Sequence, residues 1–330
     1  GKMNHFQLKH IPYRSTLSDA NKRRSHLVFQ DVYYSLLKEY HSIISDSRQT
    51  YAWENRLEII DSSTISLFKD ILSCVGRKSN TGKRKGGIKV HTQINLQDRV
   101  PKLIWFSAAT THDKQFLKHV ELEKGRIAVF DKGYNDYKTF DEFNEGGVFF
   151  VTRLKSNASY ESVKENDIPS YIDDGVLKDE VIRVDVKENG TYLKTIELRK
   201  IAYWDDENKR CFEFITNLHG MNAGHIALIY KKRWQIELLF KQLKQNFPLK
   251  FFLGDNENAI KIQIWCALIV NLLLTVTQKK IKRKWAFSNL ASFCRLHLFN
   301  YIHLNKFLEN PEKDWLVEYS AQLQLKFSSS

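Results

Sequence analysis

The stretch that most constrains this chain is residues 229–245, IYKKRWQIELLFKQLKQ. It lacks Pro and Gly and is rich in helix-favouring residues, so we predict one continuous helix. At about 100° per residue, one aromatic, one acid and three cations lie on or beside one face: Tyr230, Arg233, Glu237, Lys241 and Lys244. Apolar side chains form the neighbouring flank: Ile229, Ile236, Leu239, Phe240 and Leu243. The helix is expected to bury that flank and to present a single carboxylate among cations.

Two interpretations of this polar face are open. In the first, Glu237 is an ordinary intrahelical partner of Arg233 and Lys241, at the i, i+4 spacing of a solvated helix. A lone carboxylate among cations is also what a metal ligand beside a phosphate backbone requires. The acids elsewhere in the chain favour the second interpretation.

Composition narrows the class of protein. The chain has 330 residues, of which 42% are hydrophobic and 13% aromatic, which excludes a disordered protein and allows a large core. Its 51 Lys and Arg outnumber 38 Asp and Glu and give a net charge of +13. Such an excess indicates an anionic partner such as nucleic acid.

Cysteine usage and hydropathy indicate a cytoplasmic protein. The cysteines are far apart and form no metal-binding or disulfide pattern, as expected in a reducing compartment: Cys74, Cys211, Cys266 and Cys294. No signal-peptide pattern opens the chain. The longest apolar run, 262–277, is short for a bilayer and is interrupted by polar residues, so it is predicted to be a buried core helix.

Short apolar strands alternate with helices through the middle of the chain. Strands are predicted at 57–67, 88–96, 102–107, 126–131, 147–152 and 211–217. Asp61 lies on the first of these strands and Asp131 ends the fourth. Asp61 taken alone is better explained as a turn or cap residue before Ser62 and Ser63. Together, the alternation and the acids predict an α/β sheet with a site at one edge.

Residues 154–210 have a different, β-rich pattern. Alternating polar and apolar residues flank Asn189-Gly190, a strong hairpin signal, so we predict a β-rich insertion. Trp204 within it could stack on a nucleic-acid base or simply pack on the sheet. Residues 76–89, GRKSNTGKRKGGIK, have six cations and no acid. They form either a solvated charge run or a phosphate-binding loop with Lys83, Arg84 and Lys85.

The motifs resemble those of one enzyme family. IIDSSTISL contains Asp61, VFDKGY contains Asp131, and a Y-(2)-R-(3)-E-(6)-K signature is formed by Tyr230, Arg233, Glu237 and Lys244. With these motifs the chain resembles bacterial DDE transposases of the insertion-sequence-four family, the group of the Tn-five transposase. The THD at 111–113 and the N-terminal RSTLSDANKRR are also similar to that family.

The resemblance implies a fold and an activity. The fold would be α/β: an RNase H-like catalytic core, a mixed sheet flanked by helices, with a β-rich insertion before the third acid and helical N- and C-terminal parts. Asp61, Asp131 and Glu237 would bind two Mg²⁺ or Mn²⁺ ions for cut-and-paste transposition, in a homodimer that joins transposon ends to target DNA. The proposed DNA contacts are Tyr230, Arg233, Lys241, Lys244, Trp234, Lys83, Arg84 and Lys85.

The resemblance also divides the chain into regions. We expect a helical N-terminal region (1–52) that ends a DNA-binding domain, with Ser18 capping its helix, and a core in two parts (53–153 and 211–258). The insertion (154–210) separates these parts, and a C-terminal helical region (259–330) follows. His91 is interpreted as structural and Asp113 as a helix-start residue. Alternative functions are a domesticated DNA nickase and a non-catalytic DNA-binding protein on the same fold.

Overall fold

β1 (Leu57–Ser66) is the strand around which the sheet is built. It pairs antiparallel with β3 (Lys85–Asn95) and parallel with β5 (Ile127–Phe130). β4 (Pro101–Ala108) lies antiparallel to β3, and β6 (Phe149–Arg153) lies parallel to β5. Three antiparallel strands followed by two parallel ones form the core of an RNase H-like fold, which confirms the predicted fold class.

The computed structural model describes residues 12–46, 48, 50–66, 76–77, 85–168, 175–249, 252–254, 256–298 and 302–313. The chain divides into two units, Ser47–Phe240 and a second formed by Gly1–Asp46 with Lys241–Ser330. The sheet and the three acids singled out in the sequence belong to the first unit. The second unit is helical over its described residues.

The insertion extends the same sheet. β7 (Glu161–Glu165), β8 (Val176–Glu188) and β9 (Thr191–Asp205) continue from β10 (Arg210–Thr216), which itself pairs with β6. With the short β2 (Gly76–Arg77), the described residues form a ten-stranded sheet. The predicted hairpin is confirmed, because Asn189 and Gly190 adopt the positive φ angles that a tight turn between β8 and β9 requires.

One core joins the insertion to the rest of the sheet. α4 (Tyr137–Gly146) packs its aromatic face on β6, with the rings of Phe140 and Phe150 4.1 Å apart. Apolar residues of β8, β9 and the central strands are buried in the same cluster: Ile60, Phe130, Ile182, Val184, Val186 and Leu198. The insertion is therefore a continuation of the same sheet and not a separate layer.

A buried ion pair ties the insertion to the segment before the next helix. Arg199 on β9 and Asp179 on β8 are 6% and 3% exposed, and their side chains are 2.5 Å apart. Arg199 also donates to the carbonyls of Leu218, His219 and Met221. These bonds fix the loop between β10 and the helix that follows, whose N-cap is Asn222.

The helical unit contains α1 (Arg14–Arg23), α2 (Leu27–Ile44) and α7 (Glu257–Lys280). α8 (Phe287–His297) and α9 (Leu304–Glu309) follow. Ser18 is wrongly predicted as an N-cap. It lies inside α1, because the break in the helical pattern comes at 24–26, ahead of α2.

α7 is the apolar helix foreseen in the sequence. By length and composition it could cross a membrane, but 61% of its most apolar window is buried inside the protein. Trp265 of α7 packs against Tyr33 and Tyr34 of α2, with ring centroids 5.5 and 5.8 Å away. The interpretation as a core helix is confirmed.

The buried pair generates a stability prediction. Arg199→Leu strands the Asp179 charge and frees three loop carbonyls, so the free energy of unfolding should fall by about 3–5 kcal/mol. Arg183→Leu is the matched control, since Arg183 pairs across the same hairpin with Glu197 but both are about half exposed. That loss should stay below about 1 kcal/mol. Urea unfolding followed by circular dichroism measures the free energy of unfolding of both variants. Equal losses would contradict the conclusion that the buried Arg199–Asp179 pair stabilises the fold more than the exposed pair does.

Candidate active site

The signature stretch forms two helical segments. α5 (Ala223–Lys232) ends just before Arg233, and α6 (Trp234–Asn246) begins just after it. The prediction of one continuous helix is therefore wrong at Arg233. Arg233 keeps helical angles, but the bonds on either side are i to i+3: its N–H donates to the Tyr230 carbonyl, and its carbonyl accepts from Ile236. The predicted apolar flank is buried at Ile229, Ile236, Leu239 and Leu243, with Phe240 half-buried.

The three acids lie on three elements that are distant in sequence but belong to the same structural unit, 47–240. Asp61 lies on β1, and Asp131 follows β5 directly. The preceding residues, Ile60 and Phe130, are partners in the parallel pairing of these strands, so both aspartates emerge at neighbouring positions of the sheet. Glu237 comes from the first turn of α6.

Arg233 joins two of these acids. Its Nη1 lies 2.6 Å from Asp61 Oδ2, and its Nη2 lies 2.5 Å from Glu237 Oε1. The Glu237 contact is the intrahelical pair anticipated from the sequence, whereas the Asp61 contact spans 172 positions. One guanidinium therefore contacts two carboxylates and partly compensates the repulsion between them.

The third acid has its own cation. Arg153, the last residue of β6, places Nη2 2.6 Å from Asp131 Oδ1. The Tyr230 hydroxyl donates to the same oxygen at 3.2 Å. The Tyr230 ring has the guanidiniums of Arg153 and Arg233 5.7 and 5.6 Å from its centroid. Tyr230 is only 9% exposed, and through its hydroxyl and its ring it contacts the residues of the acid cluster.

The pKa values of the two aspartates shift in opposite directions. Burial raises the pKa of Asp61 to about 6, although the Arg233 charge and the Ser62 N–H oppose the shift. The charges of Asp131 and Glu237 add to the rise. Burial acts on Asp131 as well, but the hydrogen bond and charge of Arg153, together with Arg233, outweigh it and lower that pKa.

A fourth carboxylate adjoins this cluster. Asp113 accepts from the Ser62 hydroxyl at 2.9 Å and from Lys89 Nζ at 3.0 Å. It is the N-cap residue of α3 (Lys114–Leu117), as its interpretation as a helix-start residue predicts, but its side chain makes no capping bond to that helix. His91 is fully buried with Nε2 2.9 Å from the Ser107 hydroxyl, as expected of a structural histidine.

Sequence reasoning missed Arg153, Lys89 and the role of Asp113. Arg153 had a usable signal, since it ends the strand parallel to the one before Asp131 and so reaches the same edge of the sheet. Lys89 belongs to the basic stretch 76–89, where its pairing with Asp113 could not be distinguished from a solvated charge. Asp113 had no signal beyond its position in the THD motif.

The other predicted DNA contacts have varied positions. Trp234 is 55% and Trp204 39% exposed, so both rings are accessible. Lys241 and Lys244 are exposed on the part of α6 that belongs to the helical unit. Lys83 and Arg84 lie outside the described residues. Lys85 is described only by its backbone, in β3.

The donor set suits a hard divalent cation. Asp61, Asp131 and Glu237 offer only carboxylate oxygens, the ligands that Mg²⁺ and Mn²⁺ prefer. Within the described ranges, no three acidic, His or Cys side chains stand at ligand spacing around one point. The Arg233 guanidinium contacts both Asp61 and Glu237, so these two carboxylates already hold one positively charged group between them.

The opposite shifts generate a pH prediction for metal-free protein. Folding raises the pKa of Asp61 from 3.8 to about 6, so its contribution to stability is largest below pH 4 and is lost as the pH rises through 6. The stability of Asp61→Asn relative to wild type should therefore rise by about 2 kcal/mol between pH 4 and 7.5.

The matched control is Asp131→Asn. The pKa of Asp131 is lowered, so its stabilising contribution is present above pH 4 and lost only in stronger acid. This variant should be less stable than wild type throughout pH 5–7.5, with a constant difference. Urea unfolding in EDTA measures the free energy of unfolding of wild type, Asp61→Asn and Asp131→Asn at each pH. Parallel pH profiles for Asp61→Asn and wild type would contradict the Asp61 assignment.

Comparison with known proteins identifies the family of the chain. The "Transposase DDE domain" family matches residues 53–273. A putative transposase y4zB of Sinorhizobium fredii is 34% identical over 272 residues, which cover 81% of this chain and 72% of that protein. A putative transposase for insertion sequence element IS4SA of Synechocystis is 29% identical, over 79% of this chain and 70% of that protein.

Among solved structures, the piggyBac transposase in a synaptic complex with hairpin DNA is similar, with a TM-score of 0.40 and 10% identity. The match covers 87% of this chain and 61% of that chain, so this chain spans less than two thirds of that protein. The sequence relatives and the family match carry the assignment. This chain belongs to the DDE transposase family, among the transposases of bacterial insertion-sequence elements.

Proposed function

We propose that this transposase performs cut-and-paste transposition, hydrolysing a phosphodiester bond at each transposon end and joining the resulting end to target DNA. The observation that supports the proposal is the convergence of Asp61, Asp131 and Glu237, from three distant elements, on one cluster with Arg233 and Arg153. A protein that only bound DNA would gain nothing from carboxylates at a phosphate site.

The three acids would hold two Mg²⁺ or Mn²⁺ ions. Bound together, such ions activate the attacking oxygen and stabilise the leaving oxygen of the phosphodiester. Arg233 would exchange a carboxylate partner for a DNA phosphate, since a guanidinium binds either group in the same forked geometry. Tyr230 would hold Asp131 in place through the hydrogen bond that it already donates.

Aromatic and basic side chains of the chain would bind the DNA. Trp234, being half exposed, offers a ring on which a base could stack, and Trp204 is a second candidate. Lys241 and Lys244 would bind backbone phosphates, together with the basic residues Lys83, Arg84 and Lys85. The active form would be a cytoplasmic homodimer that holds two transposon ends.

A cleavage assay tests the reaction. DNA from the flanks of the gene's own locus is incubated with Mg²⁺ or Mn²⁺ and with wild type, Glu237→Gln or the control Glu123→Gln, whose side chain is 84% exposed. We expect metal-dependent nicks at a defined terminal sequence with wild type and Glu123→Gln. Glu237→Gln should lose at least about 100-fold in rate while DNA binding is kept or tightened, because a site carboxylate has lost its charge.

Three results would contradict the proposal. Cleavage unchanged by Glu237→Gln would remove that residue from the site. Binding without cleavage by wild type, with either metal, would favour a non-catalytic DNA-binding protein. Nicks without end joining would favour a nickase.

Salt dependence tests the DNA contacts. The logarithm of the binding constant should fall linearly with the logarithm of salt concentration, by about 0.9 for each phosphate neutralised. Replacing both Lys241 and Lys244 by Gln should make the slope shallower by about two. Lys209→Gln is the control, because Lys209 is already paired with Asp206 at 2.7 Å and should change the slope little. A slope unaffected by the double substitution would exclude these two lysines from the DNA interface.

A further inference from the structure

Asp113 lies where the segments bearing the first two acids meet. We propose that Asp113 is a positioning residue for the cutting site, whose carboxylate sets the spacing between the chain around Asp61 and the chain around Asp131. The inference rests on the proposed function, in which those two aspartates hold metal ions. It assigns the fourth carboxylate no metal and no contact with DNA.

The contact with the first segment runs through Ser62. The Ser62 hydroxyl donates to Asp113 Oδ1 at 2.9 Å, while the Ser62 backbone N–H donates to Asp61 Oδ1 at 2.7 Å. The same residue therefore receives its anchor from Asp113 and orients the Asp61 carboxylate. Loss of the anchor would leave the Ser62 hydroxyl with its hydrogen bond to Tyr134 and would loosen the carboxylate that the Ser62 N–H holds.

The contact with the second segment is a packing contact. Gly133 comes two residues after Asp131, and a Cβ built on it would lie 3.2 Å from Asp113 Oδ2. That distance is tighter than nine in ten real Cβ contacts. Gly133 is not among the residues with positive φ, so its backbone does not itself demand glycine. What disfavours a side chain there is the Asp113 carboxylate.

Lys89 supplies the positive charge that compensates the partly buried carboxylate of Asp113. Lys89 Nζ lies 3.0 Å from Asp113 Oδ1 and donates to the Thr111 carbonyl at 2.9 Å. The side chains of Lys89 and Asp113 are 13% and 28% exposed, so the pair is only partly screened by water. His91 Nδ1 is 3.9 Å away, but burial lowers the pKa of His91 to about 4, so Lys89 supplies the compensating charge at neutral pH.

These contacts leave Asp113 a defined task. Oδ1 is taken by Ser62 and Lys89, and Oδ2 faces Gly133, so both oxygens point at the scaffold of the site. Residues that orient metal ligands in this indirect way typically change metal affinity by about 10–100-fold when replaced. The expected consequence of disturbing Asp113 is therefore weaker metal binding with DNA affinity unchanged.

A double-mutant cycle between Asp113 and Gly133 tests the inference. Asp113→Ala removes the anchor, and Gly133→Ala pushes the carboxylate away from its seat. Each should raise the Mn²⁺ concentration that half-saturates the thermal shift of the DNA-free protein by about 10-fold, with a similar rise in the Mn²⁺ needed for nicking. The double variant should match Asp113→Ala alone, because alanine at 113 leaves no carboxylate for the new methyl group to displace.

Two further variants separate positioning from folding. Asp113→Asn keeps an oxygen that can accept from Ser62, so it should restore part of the Mn²⁺ affinity lost in Asp113→Ala. Gly146→Ala is the matched control, since its Cβ would meet Val148 at an ordinary 3.9 Å in the same unit. It should leave the Mn²⁺ midpoint unchanged. The melting temperature in EDTA and the DNA dissociation constant are measured for every variant.

The outcomes distinguish this inference from the proposed function. Effects of Asp113→Ala and Gly133→Ala that multiply in the double variant would overturn the shared contact. Lower melting temperatures in EDTA with an unchanged Mn²⁺ midpoint would reduce Asp113 to a structural role. If the wild type binds Mn²⁺ and nicks DNA while all variants equal it, only the inference fails. A wild type that neither binds Mn²⁺ nor nicks DNA would overturn both.

Discussion

The catalytic unit depends on holding like charges together in a partly buried place. Two carboxylates at close range repel each other, and burial removes the water that would screen them. Arg233 resolves the conflict for Asp61 and Glu237 by contacting both, and Arg153 does so for Asp131. The compensation is incomplete at Asp61, whose pKa burial still raises to about 6. The cluster is thus built at a cost in stability, as functional sites commonly are.

The fold supplies the geometry for this compensation. β1, β5 and β6 run parallel, so Asp61, Asp131 and Arg153 reach neighbouring positions along the sheet. The third acid, Glu237, lies on α6, the helix that follows α5, and the loop that Arg199 binds precedes α5. The insertion therefore does more than lengthen the sheet. Its buried Arg199 fixes the start of α5, the helix that ends just before Arg233.

The sequence predicted local features well and long-range pairings poorly. Strand β1, strand β5 and the turn at Asn189-Gly190 follow from apolar runs and turn chemistry, and Asp61, Asp131 and Glu237 follow from the motifs. The contact between Arg233 and Asp61 spans 172 positions, and no local pattern encodes it. That contact accompanies the tightened turn at Arg233, which a periodicity analysis read as plain helix. The predicted helix start at Ser18 is wrong because α1 begins at Arg14 and Ser18 lies inside the helix. A residue type that favours caps does not by itself locate the end of a helix.

The balance of charge around the cluster bears on how a polyanion can approach it. Asp61, Asp131, Glu237 and Asp113 are each in contact with a cation, and three cations, Arg233, Arg153 and Lys89, serve all four. A phosphate backbone drawn in by the basic excess of the chain therefore meets paired acids and not a bare anionic patch. A guanidinium binds carboxylate and phosphate alike, so under the proposed function the same Arg233 that keeps Asp61 and Glu237 together would release them as DNA arrives. Charge compensation and substrate recognition would then be two uses of one side chain.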